Sequence, residues 1–233
     1  MATPTYTAVI PVRAGSRRLK NKNIAPFGGT NLLLYKIAQL QRVKAIDRIV
    51  VSSDSDAMLE MAANAGAATH RRALEYCDEK TRSFGEVVRH IAESVEGEHV
   101  LWATCTSPLV FPTAYARAFS AYEQALAEGY DSLMSVYTFR RYLWNAEGPL
   151  NYELGLKHVP SQQLPPLQFV TDGILIAPRQ RMIEWSYFHG PNPHRFEVTK
   201  REAVDIDDTH DLLEARALLD TDPSVMERDP YFT

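Results

Sequence analysis

Short apolar runs alternate with helix-periodic segments over residues 6–137. The run Tyr6–Val12 is too short for a helix and rich in strand formers, so it predicts a buried first strand. Leu32–Val43 repeats apolar residues at i, i+3, i+4 and i+7, which predicts a helix with one buried face. Ile46–Ser52 predicts a second strand, and Asp54–Gly66 predicts a helix closed by its glycine.

The alternation continues toward the carboxyl end of the chain. Ser83 and Glu86 have the spacing of a capping box and predict the start of a third helix. We further predict strands at Ala67–His70, His99–Ala103 and Ser132–Tyr137, and a turn at Asp172–Gly173 that leads into another strand. Helices are predicted at Thr113–Glu128, Pro178–Trp185 and His210–Leu219, the last of them capped by Thr209. The segment before His194 is predicted to be irregular. This order specifies an α/β fold with a mostly parallel sheet.

Polar segments follow three of the predicted strands. They are Arg13–Asn23, Ser52–Asp54 and Thr104–Pro108. Because ligands of such sheets bind outside the carboxyl ends of the strands, we expect these segments to face one crevice.

Residues 138–169 interrupt the pattern with aromatic residues between glycines and prolines. Since linkers are rarely so aromatic, this segment predicts an arm inserted into a single domain that spans residues 1–233. An exposed aromatic arm favours contact with a partner subunit, and packing on its own domain is the alternative.

Composition limits the class of protein. The chain is 45% apolar and 23% charged with a formal net charge of -4, which argues against general affinity for nucleic acid. No signal-like start and no stretch of about 20 apolar residues is present, so we expect a cytoplasmic protein without membrane contact. Two cysteines, Cys77 and Cys105, are too few for a disulfide framework or a thiolate metal site.

Five cations are concentrated in the loop after the first strand. They are Arg13, Arg17, Arg18, Lys20 and Lys22. A glycine-containing loop at this place is typical of phosphate binding, although it has neither the dinucleotide fingerprint nor a P-loop ending. We interpret Arg18 and Lys20 as solvated charges.

Asp205 and Asp207 alternate along a segment that we expect to be extended, so both carboxylates should share one face opposite Ile206. Hard oxygen ligands in this arrangement suit Mg²⁺, which typically takes one or two carboxylates and leaves its other positions to phosphates and water. The alternative is a polar segment whose Asp208 and Asp211 serve the N-terminus of the next helix.

Five motifs occur in a fixed order along the chain. They are Ile10-Pro11-x-Arg13-x-Gly15-Ser16 with Lys22-Asn23, Val51-Ser52-Ser53-Asp54, Thr106-Ser107-Pro108-Leu109, Asp172-Gly173 and Asp205-Ile206-Asp207. In this combination the sequence resembles the acylneuraminate cytidylyltransferase family, which makes CMP-activated sugar acids. Arg13–Leu19 also fits the Arg-x-Gly-Ser-x-Arg-Leu opening of the related CMP-Kdo synthetases.

The resemblance implies a three-layer nucleotidyltransferase fold, a homodimer joined through the inserted arm, CTP and Mg²⁺ as co-substrates, and pyrophosphate as product. It implies catalytic roles for Arg13, Lys22, Asp205 and Asp207, the two aspartates being metal ligands. It implies nucleotide contacts for Ala14, Gly15, Ser16, Arg17, Asn23, Arg71, Thr81 and Ser83. It implies acceptor contacts for Thr104, Gln162, Gln163, Asp172 and Gly173.

Departures from the family pattern fall on the acceptor side. Thr104 stands where the family has glutamine, and Val110 and Ser161 each stand where it has arginine. Asp172 replaces an asparagine and Ile176 a tyrosine. Fewer cationic and amide donors weaken the expectation of a sialic-acid carboxylate bound in the usual way. We therefore expect transfer of CMP from CTP to a nonulosonic or Kdo-like sugar acid. The alternatives are another acidic acceptor, such as a phosphonate, and a nucleotide-binding protein with a lost acceptor site.

Overall fold

The computed structural model describes residues 4–16, 18–78, 80–156 and 158–221. The strands are β1 Tyr6–Pro11, β2 Pro26–Phe27, β3 Thr30–Asn31, β4 Arg48–Ser53, β5 Ala68–Arg71, β6 His99–Trp102, β7 Ser132–Phe139, β8 Trp144–Asn145, β9 Gly148–Pro149, β10 Leu167–Pro178 and β11 Pro193–Glu197. The α-helices are α1 Leu32–Leu40, α2 Asp56–Asn64, α3 Phe84–Glu93, α4 Pro112–Ala127, α5 Arg179–Trp185 and α6 Thr209–Thr221. Single 3₁₀ turns occur at Lys22–Ile24, Leu74–Tyr76 and Ser161–Gln163.

Seven strands form the central sheet in the order β11-β7-β10-β6-β1-β4-β5. Strand β10 is antiparallel to both of its neighbours, and the other strands run in one direction. The strand order switches at β1, which pairs with β6 on one side and with β4 on the other. A ligand crevice is therefore expected at the carboxyl end of β1.

Both faces of the sheet are covered, which gives the three layers predicted from the sequence. Ala8 and Ile10 of β1 pack into the larger core, formed with α1, α2, α4 and α6. Val9 points the other way and packs with Val88 and Met182 in the core beneath α3 and α5. A strand buried on both faces must be apolar at successive positions, and this explains the continuous apolar run that predicted β1.

Three local predictions are wrong. Asp172 and Gly173 lie inside the long strand β10, where the pairing with β7 shifts register, and do not form a turn before the strand. Residues just before His194 were predicted to be irregular, but Pro193 already begins the edge strand β11. Thr209 does not cap α6, because the Asp208 carboxylate accepts the His210 N–H at 2.7 Å.

The segment between β7 and β10 carries little regular structure. It contains the two-residue ladder β8–β9 and the turn Ser161–Gln163. Several of its large apolar side chains are exposed, among them Leu154 and Leu156. Its role as a dimerisation arm, and the treatment of residues 1–233 as one domain, stay predictions. Within the described residues, no helix has both the length and the apolar character needed to span a membrane.

Candidate active site

A cleft of ≈ 480 Å³ opens where β1 and β6 end, at the switch in strand order. The loop after β1 contributes Arg13 and Lys22 to its wall, and the turn after β6 contributes Thr104. Asp172 of β10 and Asp207 from the segment before α6 complete the polar side. The chain thus brings basic and acidic groups from distant positions to one cavity.

The basic loop is held by hydrogen bonds to its surroundings. The Ala14 N–H donates to Asp54 Oδ1 at 2.9 Å, which attaches the loop to the end of β4. Asn23 Nδ2 donates to the Arg13 carbonyl at 3.0 Å across the base of the loop. The Arg13 guanidinium donates to the Cys77 carbonyl at 2.7 Å. These bonds fix the two ends of the loop, near Arg13 and Asn23.

Two cations converge on Asp207. Arg18 donates through Nη1 and Nη2 to both carboxylate oxygens at 2.8 Å each, and Lys22 Nζ donates to Oδ1 at 3.1 Å. Burial alone would raise the pKa of Asp207, but the hydrogen bonds and charges of Lys22 and Arg18 lower this pKa below its usual value. The carboxylate is ionised at neutral pH. Arg18 is a solvated charge, as predicted, with its side chain 67% exposed, but it also forms a bidentate ion pair with Asp207 that the sequence did not indicate.

Asp205 lies against the turn that follows β6. Ser107 Oγ donates to Asp205 Oδ1 at 3.3 Å, and the Ile206 N–H donates to the Thr106 carbonyl at 2.8 Å. The Ile206 side chain is buried in the larger core, on the side predicted from the alternation. This local bonding fixes the backbone between the two acidic residues, although the segment does not join the sheet.

Asp172 is influenced by the charges of both of these aspartates. Partial burial raises the pKa of Asp172, and the negative charges of Asp205 and Asp207 raise it further, while Lys22 opposes the shift. The three carboxylates are therefore close enough to interact electrostatically. Thr104 Oγ1 donates to the Asp172 carbonyl at 3.0 Å, so the turn after β6 also positions this part of β10.

Arg71 and Arg72 point to opposite sides of the sheet. Arg71, the last residue of β5, forms a bidentate ion pair with Asp56 at the surface and does not line the cleft. Arg72 is buried and lines it; its Nη2 donates to the Val12 carbonyl at 2.7 Å and its Nε to Cys77 Sγ at 3.0 Å. The backbone pairing with β4 continues through Arg72, so the alternation of an extended chain turns only the second arginine inward.

An aromatic wall forms the other side of the cleft. Phe84, Trp102 and Phe188 all line it, with Phe84 lying edge-on to both other rings at centroid distances of 6.4 and 5.6 Å. Sequence reasoning missed these residues. Trp102 offered a signal, because it lies two residues before the polar turn at the end of a predicted strand. Phe188 offered none, since it follows α5 far along the chain.

Comparison with known proteins identifies the family. The sequence model described as cytidylyltransferase matches residues 7–148. The chain belongs to the cytidylyltransferase family. Over 90% of its length this cytidylyltransferase is 26% identical to the pseudaminic acid cytidylyltransferase of Campylobacter jejuni, of which it covers 94%. Over 88% of its length it is 26% identical to the N-acylneuraminate cytidylyltransferase of Escherichia coli, of which it covers only 49%.

A solved structure agrees in fold. The structure of a CMP:2-keto-3-deoxy-manno-octonic acid synthetase in complex with CTP superimposes with a TM-score of 0.68. The alignment covers 93% of the cytidylyltransferase and 98% of that chain, at 14% sequence identity. At this identity the match establishes the nucleotidyltransferase architecture alone.

The expected site residues of the cytidylyltransferase fall into two groups. Those that line the cleft are Arg13, Ser16, Lys22, Asn23, Thr104, Asp172 and Asp207. Those described outside its lining are Ala14, Gly15, Arg71, Thr81, Ser83, Gln162, Gln163, Gly173 and Asp205. Arg17 lies outside the described residues. Gln162 and Gln163 are exposed on the 3₁₀ turn of the arm, whereas Gly173 and Asp205 both lie against Ser107, in the turn after β6.

The donor set fits a magnesium ion that is shared with a phosphate. Among the residues that the structure describes, no three histidine, cysteine, aspartate or glutamate side chains group closely enough to enclose a metal by themselves. Asp205 and Asp207 supply hard oxygens, and Mg²⁺ typically needs only one or two carboxylates when phosphates and water complete its shell. The residues present are therefore compatible with the predicted metal.

Ser83 is exposed, but it caps the N-terminus of α3. Its hydroxyl accepts from the Glu86 N–H, and the Glu86 carboxylate accepts from the Ser83 N–H at 2.8 Å, which completes the predicted capping box of α3. We expect Ser83→Ala to lower the free energy of unfolding by about 1 kcal/mol in urea titrations. Its KM for CTP should stay within about twofold of wild type. A large rise in KM with unchanged stability would instead assign Ser83 to the nucleotide.

Proposed function

We propose that this cytidylyltransferase transfers CMP from CTP to a sugar acid and releases pyrophosphate. The observation that carries the proposal is the meeting of Arg18 and Lys22 with Asp207 at the mouth of the cleft. Such a pairing supplies cations for a triphosphate beside a carboxylate for a metal. The named relatives, which act on pseudaminic acid and N-acylneuraminate, support the choice of a sugar acid.

The triphosphate would bind along the basic loop. Arg13 and Lys22 would hold its oxygens, and Arg18 would exchange its carboxylate partner for a phosphate, which accepts the same bidentate hydrogen bonds. Nucleotidyl transfer needs little covalent help from protein, so the main contribution of these side chains is to orient the phosphates and to neutralise the charge that develops on pyrophosphate. Asp205 and Asp207 would hold Mg²⁺, which when bound would polarise the phosphates as a Lewis acid.

The nucleoside would lie toward Asn23 and Arg72. Arg72 is buried, and its contacts among the described residues are a carbonyl and a thiol, neither of which neutralises its charge. An acceptor such as the cytosine carbonyl or a ribose oxygen would add a hydrogen bond to this guanidinium. Under this proposal Arg72 makes the nucleotide contact that the family resemblance implied for Arg71.

Two residues of the cleft bear on which compound accepts CMP. Thr104 and Asp172 line the cleft at positions where related sialate synthetases have amide side chains. An ionised Asp172 would repel the carboxylate of an acceptor and would repel a phosphonate at least as strongly. Among the alternatives, this favours a family member with a lost acceptor site.

Pyrophosphate release tests the proposal directly. Purified protein is incubated with CTP and Mg²⁺ and offered nonulosonic acids, Kdo-type sugars and phosphonates in separate reactions. We expect release that depends on one sugar acid and stops on chelation with EDTA. Release with a phosphonate alone would identify a different acceptor class. CTP binding without release for any acceptor would support the nucleotide-binding alternative.

The proposed enzyme would act as a homodimer joined through the arm. Trp144 and Leu156 are exposed there, and apolar surface of this kind is commonly covered by a partner. We expect light scattering to give twice the mass of the 26.3 kDa chain, and Trp144→Ser with Leu156→Ser to give the single-chain mass. Leu74→Ser is the matched control, because Leu74 is 75% exposed but lies outside the arm. A monomeric wild-type protein would contradict the proposal.

A further inference from the structure

Lys36 is completely buried beneath the cleft. It lies on α1, and its ammonium donates to the Ser107 carbonyl and to the Tyr115 hydroxyl, both at 2.9 Å. Neither of these two hydrogen-bond partners carries a negative charge. An isolated buried ammonium is costly, and burial lowers the pKa of Lys36 to about 7. A stabilising role alone does not explain a lysine here, because a nonpolar side chain would avoid this cost.

The contacts of Lys36 reach both acidic parts of the cleft. Ser107, whose carbonyl accepts from Lys36, donates through its hydroxyl to Asp205 at 3.3 Å. Tyr115 donates to the Gly173 carbonyl at 3.2 Å, next to Asp172. One buried ammonium therefore connects the turn after β6 with the register shift of β10.

Gln39 offers an internal comparison. It lies one turn further along α1, is equally buried, and donates to the Pro108 carbonyl at 2.8 Å. It thus supports the same turn as Lys36. Among the described residues, however, its contacts do not lead on to Asp205 or Gly173.

We propose that Lys36 is a positioning residue for CMP transfer, holding Asp205 through Ser107 and the Asp172–Gly173 backbone through Tyr115. This inference rests on the proposed function. Lys36 would thus support both Asp205, a proposed metal ligand, and the acceptor-side backbone at Asp172–Gly173, without touching the nucleotide or the acceptor. Because a displacement of about 1 Å can cost about 100-fold in rate, loss of this support should reduce turnover more than binding.

The test compares Lys36→Met with Gln39→Met, since both changes remove one donor to the turn and nearly conserve volume. We expect Lys36→Met to lower kcat by about 10- to 100-fold with the KM for CTP within about twofold of wild type. Gln39→Met should keep kcat within about threefold. Equal losses in the two variants, or a loss confined to KM, would overturn the proposal.

A second measurement does not depend on turnover. Lys36→Met and Asp205→Asn are combined, and the shift of the urea midpoint is compared with the sum of the single shifts. We expect a non-additive shift for this pair and an additive one for Gln39→Met with Asp205→Asn. Additive shifts in both pairs would overturn the proposal for Lys36. This measurement needs no turnover, so it remains decisive even if the wild-type protein releases no pyrophosphate. Absence of pyrophosphate release would by itself refute only the proposed function.

Tyr115→Phe decides the case if Lys36→Met fails to fold. This change removes only the hydroxyl that links Lys36 to Gly173. We expect a fall in kcat of about threefold to tenfold with an unchanged KM for CTP. An unchanged kcat would overturn this branch of the network and the proposal with it.

Discussion

Replacing Asp207 by asparagine should lower kcat by about three orders of magnitude, because it removes the carboxylate charge on which Arg18 and Lys22 converge. Under the proposed function this carboxylate would also be a ligand of Mg²⁺, whose stabilisation of phosphate charge contributes several kcal/mol. The fold should persist, since Asp207 and Arg18 are substantially exposed and such ion pairs contribute only about 0–1 kcal/mol. Steady-state pyrophosphate release and a thermal melt measure the two effects.

Asp208→Asn provides the matched control. Asp208 is the adjacent acid, but its carboxylate caps α6, and asparagine is an equally good N-cap. Its kcat should therefore stay within about twofold of wild type. Near-normal turnover in Asp207→Asn would refute the metal role, whereas similar losses in both variants would point to a general disturbance of the segment before α6.

The fold was predictable where strands bury both faces. β1 and β6 are nearly continuous apolar runs, and their periodicity differs clearly from that of α1. β11 was missed because it is an edge strand that buries only Phe196 among polar neighbours. Its assignment depends on pairing with β7, which local sequence does not specify.

The site was predictable where charge accumulates without a local partner. Lys22 was expected to bind phosphate from the family resemblance, and Asp207 to bind a metal from its alternation with Asp205. Their side chains meet in the cleft. The contact between Arg18 and Asp207 spans 189 positions, so a reading of the loop alone could not find it. Lys36 was missed for a similar reason: on a helix it resembles an ordinary surface lysine until Ser107 and Tyr115 are brought against it.

Arg71 and Arg72 are adjacent in sequence, but only Arg72 lines the cleft. Both Arg71 and Arg72 follow the same strand, and residue type alone cannot choose between them. The side-chain alternation along the end of β5 gives Arg71 to Asp56 at the surface and Arg72 to the cleft. We therefore propose Arg72, one residue further along than the sequence resemblance implied, for the nucleotide contact.

Arg72→Met should raise the KM for CTP by about 10- to 100-fold, because a hydrogen bond from a charged donor contributes about 1.5–3 kcal/mol. Methionine fills much of the same volume but also removes the hydrogen bonds to the Val12 carbonyl and Cys77 Sγ, so KM is measured at a temperature where a thermal melt shows the variant to be folded. Arg71→Met is the matched control and should change KM by less than about twofold, since it breaks only a surface ion pair. A raised KM in Arg71→Met with a normal one in Arg72→Met would reverse the assignment, and equal values in all three proteins would place the nucleoside elsewhere in the cleft.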